Sequence, residues 1–150
     1  MKKDDTHYMQ QALLEAEKAL EKGEVPVGAI VVWNGRVVAR GHNQPLSGDD
    51  PTAHAEIVAI REACRRRKNY RIPDCELYVT LEPCAMCLGT VVQARVKRLV
   101  FGALDPKNGA VQSIMKFPFE KTNHCLEIEQ GVLAEESSIL LKAFFKARRK

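Results

Sequence analysis

The sequence lacks a long apolar run, and this absence sets the first limit on the chain. No stretch approaches the roughly 18 consecutive apolar residues of a membrane-spanning helix, so we expect no membrane partner. Internal repeats, low-complexity tracts and domain linkers are also missing. A length of 150 residues with 45% hydrophobic content suits one globular core. We therefore expect a single domain over residues 1–150.

A recognisable export signal is missing as well. The stretch from Met1 to His7 runs directly into a helical pattern, without the apolar core and cleavage site of a secretory leader. The chain has five cysteines, an odd number. In a chain without an export signal, these favour a metal site plus buried thiols over a disulfide framework. The expected compartment is the reducing cytoplasm.

The formal net charge of +4 is too modest to identify a nucleic-acid-binding protein by itself. Its distribution is more informative, because cations are concentrated in residues 65–68 and 146–150. Either cluster would attract a phosphate backbone. The alternative is a solvated helix end for the first cluster, which we favour there, and a solvated tail for the second.

Hydrophobic periodicity predicts alternating strands and helices. Helices are expected over residues 8–22, 51–66, 83–92 and 134–149, with a short helical candidate at 113–117. Strands are expected at 27–33, 36–40, 76–81, 97–102 and 126–129, the first two forming a hairpin at Asn34-Gly35. The strand and helix alternation favours parallel pairing with helices covering the sheet. Residues 103–124 are unusually long for a bare connection, which favours a functional segment.

The chemistry is concentrated in His54-Ala55-Glu56 and Pro83-Cys84-Ala85-Met86-Cys87. Two thiols at a helix N-terminus are favoured as thiolates, the form that binds metal. With His54 they give three ligands, which in a catalytic zinc site leaves a fourth position for water. A redox dithiol is one alternative, and a structural zinc site closed by a fourth ligand such as Cys75 is another.

Glu56 follows His54 by two residues, a separation of roughly 200° around a regular helix. It is therefore not expected to bind the metal beside His54. A carboxylate near a metal-activated water could instead move protons between that water and a substrate. The alternative is a surface Glu that stabilises a helix N-terminus.

His-x-Glu with Pro-Cys-x-x-Cys resembles the signature of the zinc nucleobase deaminases, which act on cytidine, cytosine, guanine or adenosine. Further stretches are similar to the bacterial tRNA adenosine deaminase family. They run from the first helix to the last and comprise Glu24–Ala29, His42–Pro45, Asp50–Glu56, Asn69–Arg71, Tyr78–Cys84, Val100–Ala103 and Phe144-Phe145.

This resemblance implies a three-layer α/β/α, cytidine-deaminase-like fold with a central five-stranded mixed sheet and helices on both faces. It also implies a homodimer with one Zn²⁺ per subunit on His54, Cys84 and Cys87. Zinc-bound hydroxide would attack C6 of the flipped wobble adenine in a tRNA anticodon stem-loop. Glu56 would shuttle the protons, and inosine and ammonia would be released.

The resemblance further implies that Asn43 hydrogen-bonds the base and that the backbone N–H of Cys84 faces the metal-bound oxygen. The implied pocket residues are Val27, Ala55, Leu81 and Glu82, and the implied RNA contacts are Asp105, Lys107, Phe145, Arg148 and Arg149. Several of these also suit structural roles: a turn for Asp105, core packing for Val27 and Leu81, and helix packing for Phe145.

The sequence departs from the family pattern at Gln112, where a small residue is expected, and in Lys116–Glu120. These departures concern the fit to RNA more than the chemistry. A deaminase of free guanine or cytosine with the same zinc chemistry remains the alternative function.

Overall fold

A computed structural model of the protein describes residue 2 and residues 4–148. Within them the chain forms nine regular elements and one short 3-10 helix. In chain order these are α1 (Asp5–Glu21), β1 (Gly28–Trp33), β2 (Arg36–His42), α2 (Ala55–Arg67), β3 (Cys75–Leu81), α3 (Ala85–Gln93), β4 (Arg98–Ala103), the 3-10 helix (Phe119–Lys121), β5 (Glu127–Glu129) and α4 (Ala134–Arg148).

The strands form one mixed sheet in the order β2-β1-β3-β4-β5. β1 pairs antiparallel with both β2 and β3, whereas β3, β4 and β5 pair in parallel. The expected parallel pairing is thus confirmed for the last three strands. β2 runs in the same direction as β3, but its hairpin partner β1 lies between them.

Side chains alternate between the two faces of the sheet, as the two-residue period of a strand requires. On β1, Ala29 and Val31 join the core formed with α2 and α3, whereas Ile30 and Val32 pack with residues of α1. α4 packs against β4, β3 and α1. The expected three-layer α/β/α architecture is confirmed.

The helical candidate at residues 113–117 is wrong. The N–H of Phe117 donates to the carbonyl of Ala110 at 2.8 Å, and that of Ile114 donates to Gly109 at 2.9 Å. Phe117 also precedes Pro118, which disfavours helical backbone at Phe117. The helical turn forms later, over Phe119–Lys121.

The ends of three strands meet at one edge of the sheet. Because β2, β3 and β4 run in the same direction, the loops after His42, Leu81 and Ala103 all leave from this edge. Gly41 allows β2 to approach α2 closely here, since a Cβ at this position would lie 2.7 Å from the carbonyl of Ala55. The loops that carry His54, Cys84 and Asp105 are therefore brought together.

A buried ion pair occupies the opposite edge and attaches α1 to the sheet. Asp5 accepts hydrogen bonds from both terminal nitrogens of Arg98 at 2.7 Å, and from the Tyr78 hydroxyl at 2.7 Å. Burial alone would raise the pKa of Asp5, but these donors and the N–H of Lys2 lower it to about 2.

Among the described helices, none is long and apolar enough to cross a membrane.

Candidate metal and catalytic site

The segment that contains His54 and the segment that contains Cys84 and Cys87 meet where two helices begin. His54 is the N-cap of α2 and Cys84 is the N-cap of α3, both with extended backbone. The expectation that α2 begins at Pro51, with His54 in its first turn, is wrong. The Asp50 carboxylate accepts hydrogen bonds from the Thr52 N–H at 2.8 Å and hydroxyl at 2.7 Å, and this turn delays the helix to Ala55.

The candidate ligand atoms of His54, Cys84 and Cys87 all lie within 4.8 Å of one another. His54 Nδ1 is 3.5 Å from the Sγ atoms of both cysteines. A tetrahedral zinc ion with Zn–S of about 2.3 Å and Zn–N of about 2.0 Å would separate N from S by roughly 3.5 Å. The geometry therefore fits zinc, and the donor set is one that zinc prefers.

Cys75 does not belong to this cluster. It begins β3, whereas Cys84 follows the far end of that strand, and six residues of extended chain span about 20 Å. The Cys75 thiol contacts Arg67 at 3.5 Å instead. The structural zinc site closed by Cys75, one of the alternatives drawn from the sequence, is therefore excluded.

The electrostatics of the cluster favour a thiolate at Cys84. Hydrogen bonds from the Cys87 thiol and from His54 lower the pKa of Cys84 to about 4, despite its burial. The hydrogen bond to Cys84 in turn raises the pKa of His54. A cation bound among these atoms would replace the protons that link them.

Glu56 is the second residue of α2 and is buried, with 4% exposure. Its burial raises the pKa of its carboxyl group to about 7, and the group lies within hydrogen-bonding range of the Cys87 thiol. The interpretation as a surface Glu is therefore wrong. The separation of roughly 200° expected between His54 and Glu56 in a regular helix does not apply, because His54 precedes the helix. Glu56 nevertheless lies outside the cluster of three candidate ligands, as expected.

Asn43 connects the β2 loop to the start of α2. Its side-chain oxygen accepts a hydrogen bond from the Ala55 N–H at 2.8 Å, and its own N–H donates to the carbonyl of Val27 at 3.1 Å. Its amide –NH₂ keeps two donors for another partner. Asn43 is partly buried, and its bonded partner Ala55 is the residue after His54.

The four residues expected to line the pocket take different positions. Val27 and Ala55 are buried in the core cluster, and Leu81 packs against it. Glu82 is also buried, and its carboxylate accepts hydrogen bonds from the loop that follows β4. The lining roles of these residues stay predictions.

A cavity of about 910 Å³ lies between the β4–β5 connection and α4. Leu81, Asp105, Lys107, Phe145 and Arg148, all implied substrate-side residues, are among those that line it. Phe145 is 42% exposed, whereas the neighbouring Phe144 is buried. The Lys107 ammonium lies 5.7 Å from the centre of the Phe145 ring.

Arg148 has partners of its own. Its guanidinium donates to the carbonyl of Gly23 at 2.7 Å and lies 4.6 Å from the centre of the Phe144 ring. Arg149, also implied as an RNA contact, lies outside the described residues. Three arginines of the cationic cluster at residues 65–68 also form ion pairs within the chain. Arg65 and Arg66 pair with Glu62, and Arg67 pairs with Asp74.

Comparison with known proteins gives the family. A family model described as MafB19-like deaminase matches residues 3–149. A tRNA-specific adenosine deaminase from Bacillus subtilis (strain 168) is 48% identical over 147 residues, which cover 97% of this chain and 91% of the relative. The chain belongs to the tRNA-specific adenosine deaminase family.

Solved structures agree with this family. A structure from work on A-to-I editing by tRNA:A34 deaminases at the wobble position of transfer RNA has 46% identity and a TM-score of 0.87. The match covers 91% of this chain and 99% of that one. The guanine deaminase from Bacillus subtilis is less similar, with 31% identity, a TM-score of 0.64, and coverage of 78% of this chain and 84% of that one.

The buried carboxylate of Glu24 supports the loop after Asn43, a role that was not predicted from the sequence. Glu24 accepts hydrogen bonds from the N–H groups of Leu46 and Ser47 at 3.2 and 2.7 Å, and so holds the loop that follows Asn43. The stretch that contains Glu24 is part of the family resemblance. Nothing in its spacing, however, indicates which backbone groups the side chain would meet.

Proposed function

We propose that this protein hydrolyses adenosine at the wobble position of a tRNA anticodon to inosine, with release of ammonia. The observation that carries the proposal is the meeting of His54, Cys84 and Cys87 beside the buried carboxylate of Glu56. The 48% identity to a tRNA-specific adenosine deaminase supports adenosine in tRNA as the substrate. The tRNA anticodon stem-loop is thus the proposed partner.

The three ligand atoms would hold one Zn²⁺ per subunit through His54 Nδ1, Cys84 Sγ and Cys87 Sγ. Their separation of 3.5 Å between nitrogen and each sulfur supports this assignment. When bound, zinc would supply an activated water, because it lowers the pKa of water from about 15.7 to about 7. The reaction adds the oxygen of that water to C6 and breaks the bond between C6 and the amine.

Glu56 would move the protons of this reaction. A carboxyl group with a pKa of about 7 can both accept and return a proton near neutral pH. In the proposed sequence, it takes a proton from the attacking water and gives it to N1 of the adenine. It then transfers the second proton to the leaving amine, so that water is consumed and ammonia leaves.

Asn43 would orient the base. Its oxygen is already used by the Ala55 N–H, so the –NH₂ group is the part that would donate to an acceptor of the purine. Val27, Ala55 and Leu81 would supply the apolar walls of the base pocket. The backbone N–H of Cys84 would face the reacting oxygen.

The cavity beside α4 would receive the anticodon loop. Phe145 offers an exposed ring on which a base can stack, and Lys107 adds a cation next to it. Asp105, Arg148 and Arg149 complete the proposed RNA contacts. The positive charge of Lys107 and the two arginines would favour the phosphate backbone.

The remaining features of the proposal concern the whole protein. We propose that residues 1–150 form one catalytic domain and that the protein acts as a homodimer. The family resemblance is the basis for the homodimer, and exposed apolar side chains such as Met86, Ile114 and Met115 are available for an interface. A tRNA substrate favours a cytoplasmic location.

The direct test incubates the purified protein with an anticodon stem-loop that carries a wobble adenosine, and separately with free guanine and free cytosine. Inosine in the stem-loop is the expected result. Ammonia from the free bases alone would instead identify the free-base deaminase, which the likeness to the Bacillus subtilis guanine deaminase keeps as the second candidate.

A further inference from the structure

Glu82 stands between the metal-ligand segment and the loop that forms one wall of the cavity. It follows the last residue of β3, and its N–H donates to the carbonyl of Ala103, the last residue of β4, at 2.8 Å. Only 2% of the residue is exposed. Burial of a carboxylate is costly unless several donors compensate its charge.

The donors that surround this carboxylate in the described structure all belong to residues 104–113, here called the 104–113 loop. Oε1 accepts hydrogen bonds from the Asp105 N–H at 3.0 Å and from the Ser113 hydroxyl. Oε2 accepts from the N–H groups of Val111, Gln112 and Ser113 at 3.0, 2.8 and 3.1 Å. One side chain therefore holds both ends of the loop.

The middle of the loop packs directly on the same carboxylate. A Cβ at Gly109 would lie 2.3 Å from Oε1 of Glu82, a contact that would force the loop or the carboxylate to move. Asp105 shapes the outer part, because its Oδ1 accepts from the N–H groups of Lys107 and Asn108 at 3.0 and 3.2 Å. The buried carboxylate thus forms the centre of the loop, and Lys107 lies on its exposed side.

We propose that Glu82 is a positioning residue, which fixes the 104–113 loop in the shape that presents Asp105 and Lys107 to the RNA. This inference rests on the proposed function and assigns Glu82 a role other than pocket wall. Both of its oxygens accept hydrogen bonds, from five donors of the loop in all. Glu82 also lies two residues before Cys84 in the sequence. It therefore connects the 104–113 loop to the metal-ligand segment.

The test compares Glu82→Gln and Gly109→Ala with the wild-type protein, all loaded with zinc. The Gln variant keeps the shape of the side chain but replaces one acceptor by a donor that faces N–H groups. The Ala variant keeps the carboxylate and displaces the loop. In both, hydrogen exchange at residues 105 and 111–113 should accelerate about tenfold or more, as expected for lost hydrogen bonds to a charged group.

Both variants should also raise KM for the anticodon stem-loop by about tenfold, with kcat within about threefold of wild type and zinc content unchanged. Asp5→Asn is the control, because it removes a buried carboxylate at the opposite edge of the sheet. It should lower stability without changing the exchange of the loop or KM.

The inference would be overturned if hydrogen exchange in the 104–113 loop of both variants proceeds at the wild-type rate. It would also be overturned if Asp5→Asn raises KM as much as Glu82→Gln and Gly109→Ala do. If the wild-type protein fails to deaminate the stem-loop, the proposed function fails. The exchange comparison still decides whether Glu82 fixes the loop.

Discussion

At the residue scale, Glu56 is the residue on which the proposed chemistry depends most, because its buried carboxyl group lies in range of the Cys87 thiol. Glu56→Gln keeps the size of the side chain and removes its ability to exchange a proton. The rate of inosine formation should fall by about 10²-fold to 10⁴-fold, equivalent to roughly 3 to 5 kcal/mol of barrier. Fold and zinc content should be unchanged, as measured by circular dichroism and metal analysis. Turnover near the wild-type rate would remove Glu56 from the mechanism.

The metal assignment has its own test at this scale. Cys87→Ser should lower zinc content from one per chain toward zero, because serine is a poor replacement for a thiolate ligand. Cys64→Ser is the matched control, since this partly buried thiol lies next to the carbonyl of Tyr70 and outside the ligand cluster. Metal analysis of the three proteins gives the answer.

Chelation adds a second measurement on the same variants. Binding of zinc to the folded state stabilises it, so removal of zinc should lower the unfolding temperature of the wild-type protein and of Cys64→Ser. The unfolding temperature of Cys87→Ser should not respond to the chelator. An equal response in all three proteins would contradict the assignment of Cys87 as a ligand.

The ligand set could be predicted from the sequence, because His-x-Glu and Pro-Cys-x-x-Cys are local patterns. The position of Glu56 could be predicted only in part. Its burial follows from how α2 packs on the sheet, which the sequence pattern indicates through the apolar residues around it. The hydrogen bonds of Glu24 and Glu82 join residues more than twenty positions apart, and no local pattern reveals such pairs.

At the scale of elements, α4 carries the exposed ring proposed to stack on the RNA. Phe145→Ala should weaken binding of the anticodon stem-loop by about 1 to 3 kcal/mol, the usual contribution of one stacked base. Ile139→Ala is the matched control, because Ile139 is also an exposed apolar residue of α4 but does not line the cavity. Fluorescence anisotropy with a labelled stem-loop measures both. If the two variants bind the stem-loop with equal affinity, Phe145 does not stack on the RNA and has a role in helix packing instead.

The attachment of α1 to the sheet predicts a dependence of stability on pH. Hydrogen bonds from Arg98 lower the pKa of Asp5 to about 2, below the value of 3.8 expected for an unperturbed Asp. The charged form therefore contributes stability above about pH 4, and this contribution of about 2 kcal/mol is lost as the pH falls through about 2.

Urea unfolding of wild type and Asp5→Asn between pH 7 and pH 2.5 tests this dependence. At pH 7 the variant should be less stable by about 3 kcal/mol, because Arg98 loses its buried partner. The difference should shrink as the pH falls below 4. A difference that stays constant over this range would contradict the role assigned to the Asp5 carboxylate.

Element boundaries were predictable where local chemistry decides them. Asn34-Gly35 sets the hairpin, and both residues adopt the positive φ that this turn requires. The start of α2 was not predictable from Pro51, because the Asp50 side chain competes for the backbone and forms a turn first. The false helix at 113–117 failed for a related reason, since Glu82 takes up the N–H groups of residues 111–113.

At the scale of the whole molecule, the sheet brings three loops to one edge and leaves the Asp5–Arg98 pair at the other. This arrangement separates the groups that stabilise the fold from those proposed to act on RNA. The three layers were predictable from the family resemblance and from the alternation of strands and helices. The insertion of β1 between β2 and β3 depends on long-range pairing, which the hydrophobic pattern does not specify.

Formation of inosine at the wobble position of a tRNA anticodon is the proposed activity of this protein. Total bacterial tRNA, treated with the purified zinc-loaded protein and then sequenced, shows where inosine is formed. Treatment with the wild-type protein should give inosine at the wobble adenosine, whereas Glu56→Gln should give none above background. Unmodified wobble adenosine after treatment with the wild-type protein, or inosine formed equally by both proteins, would contradict it.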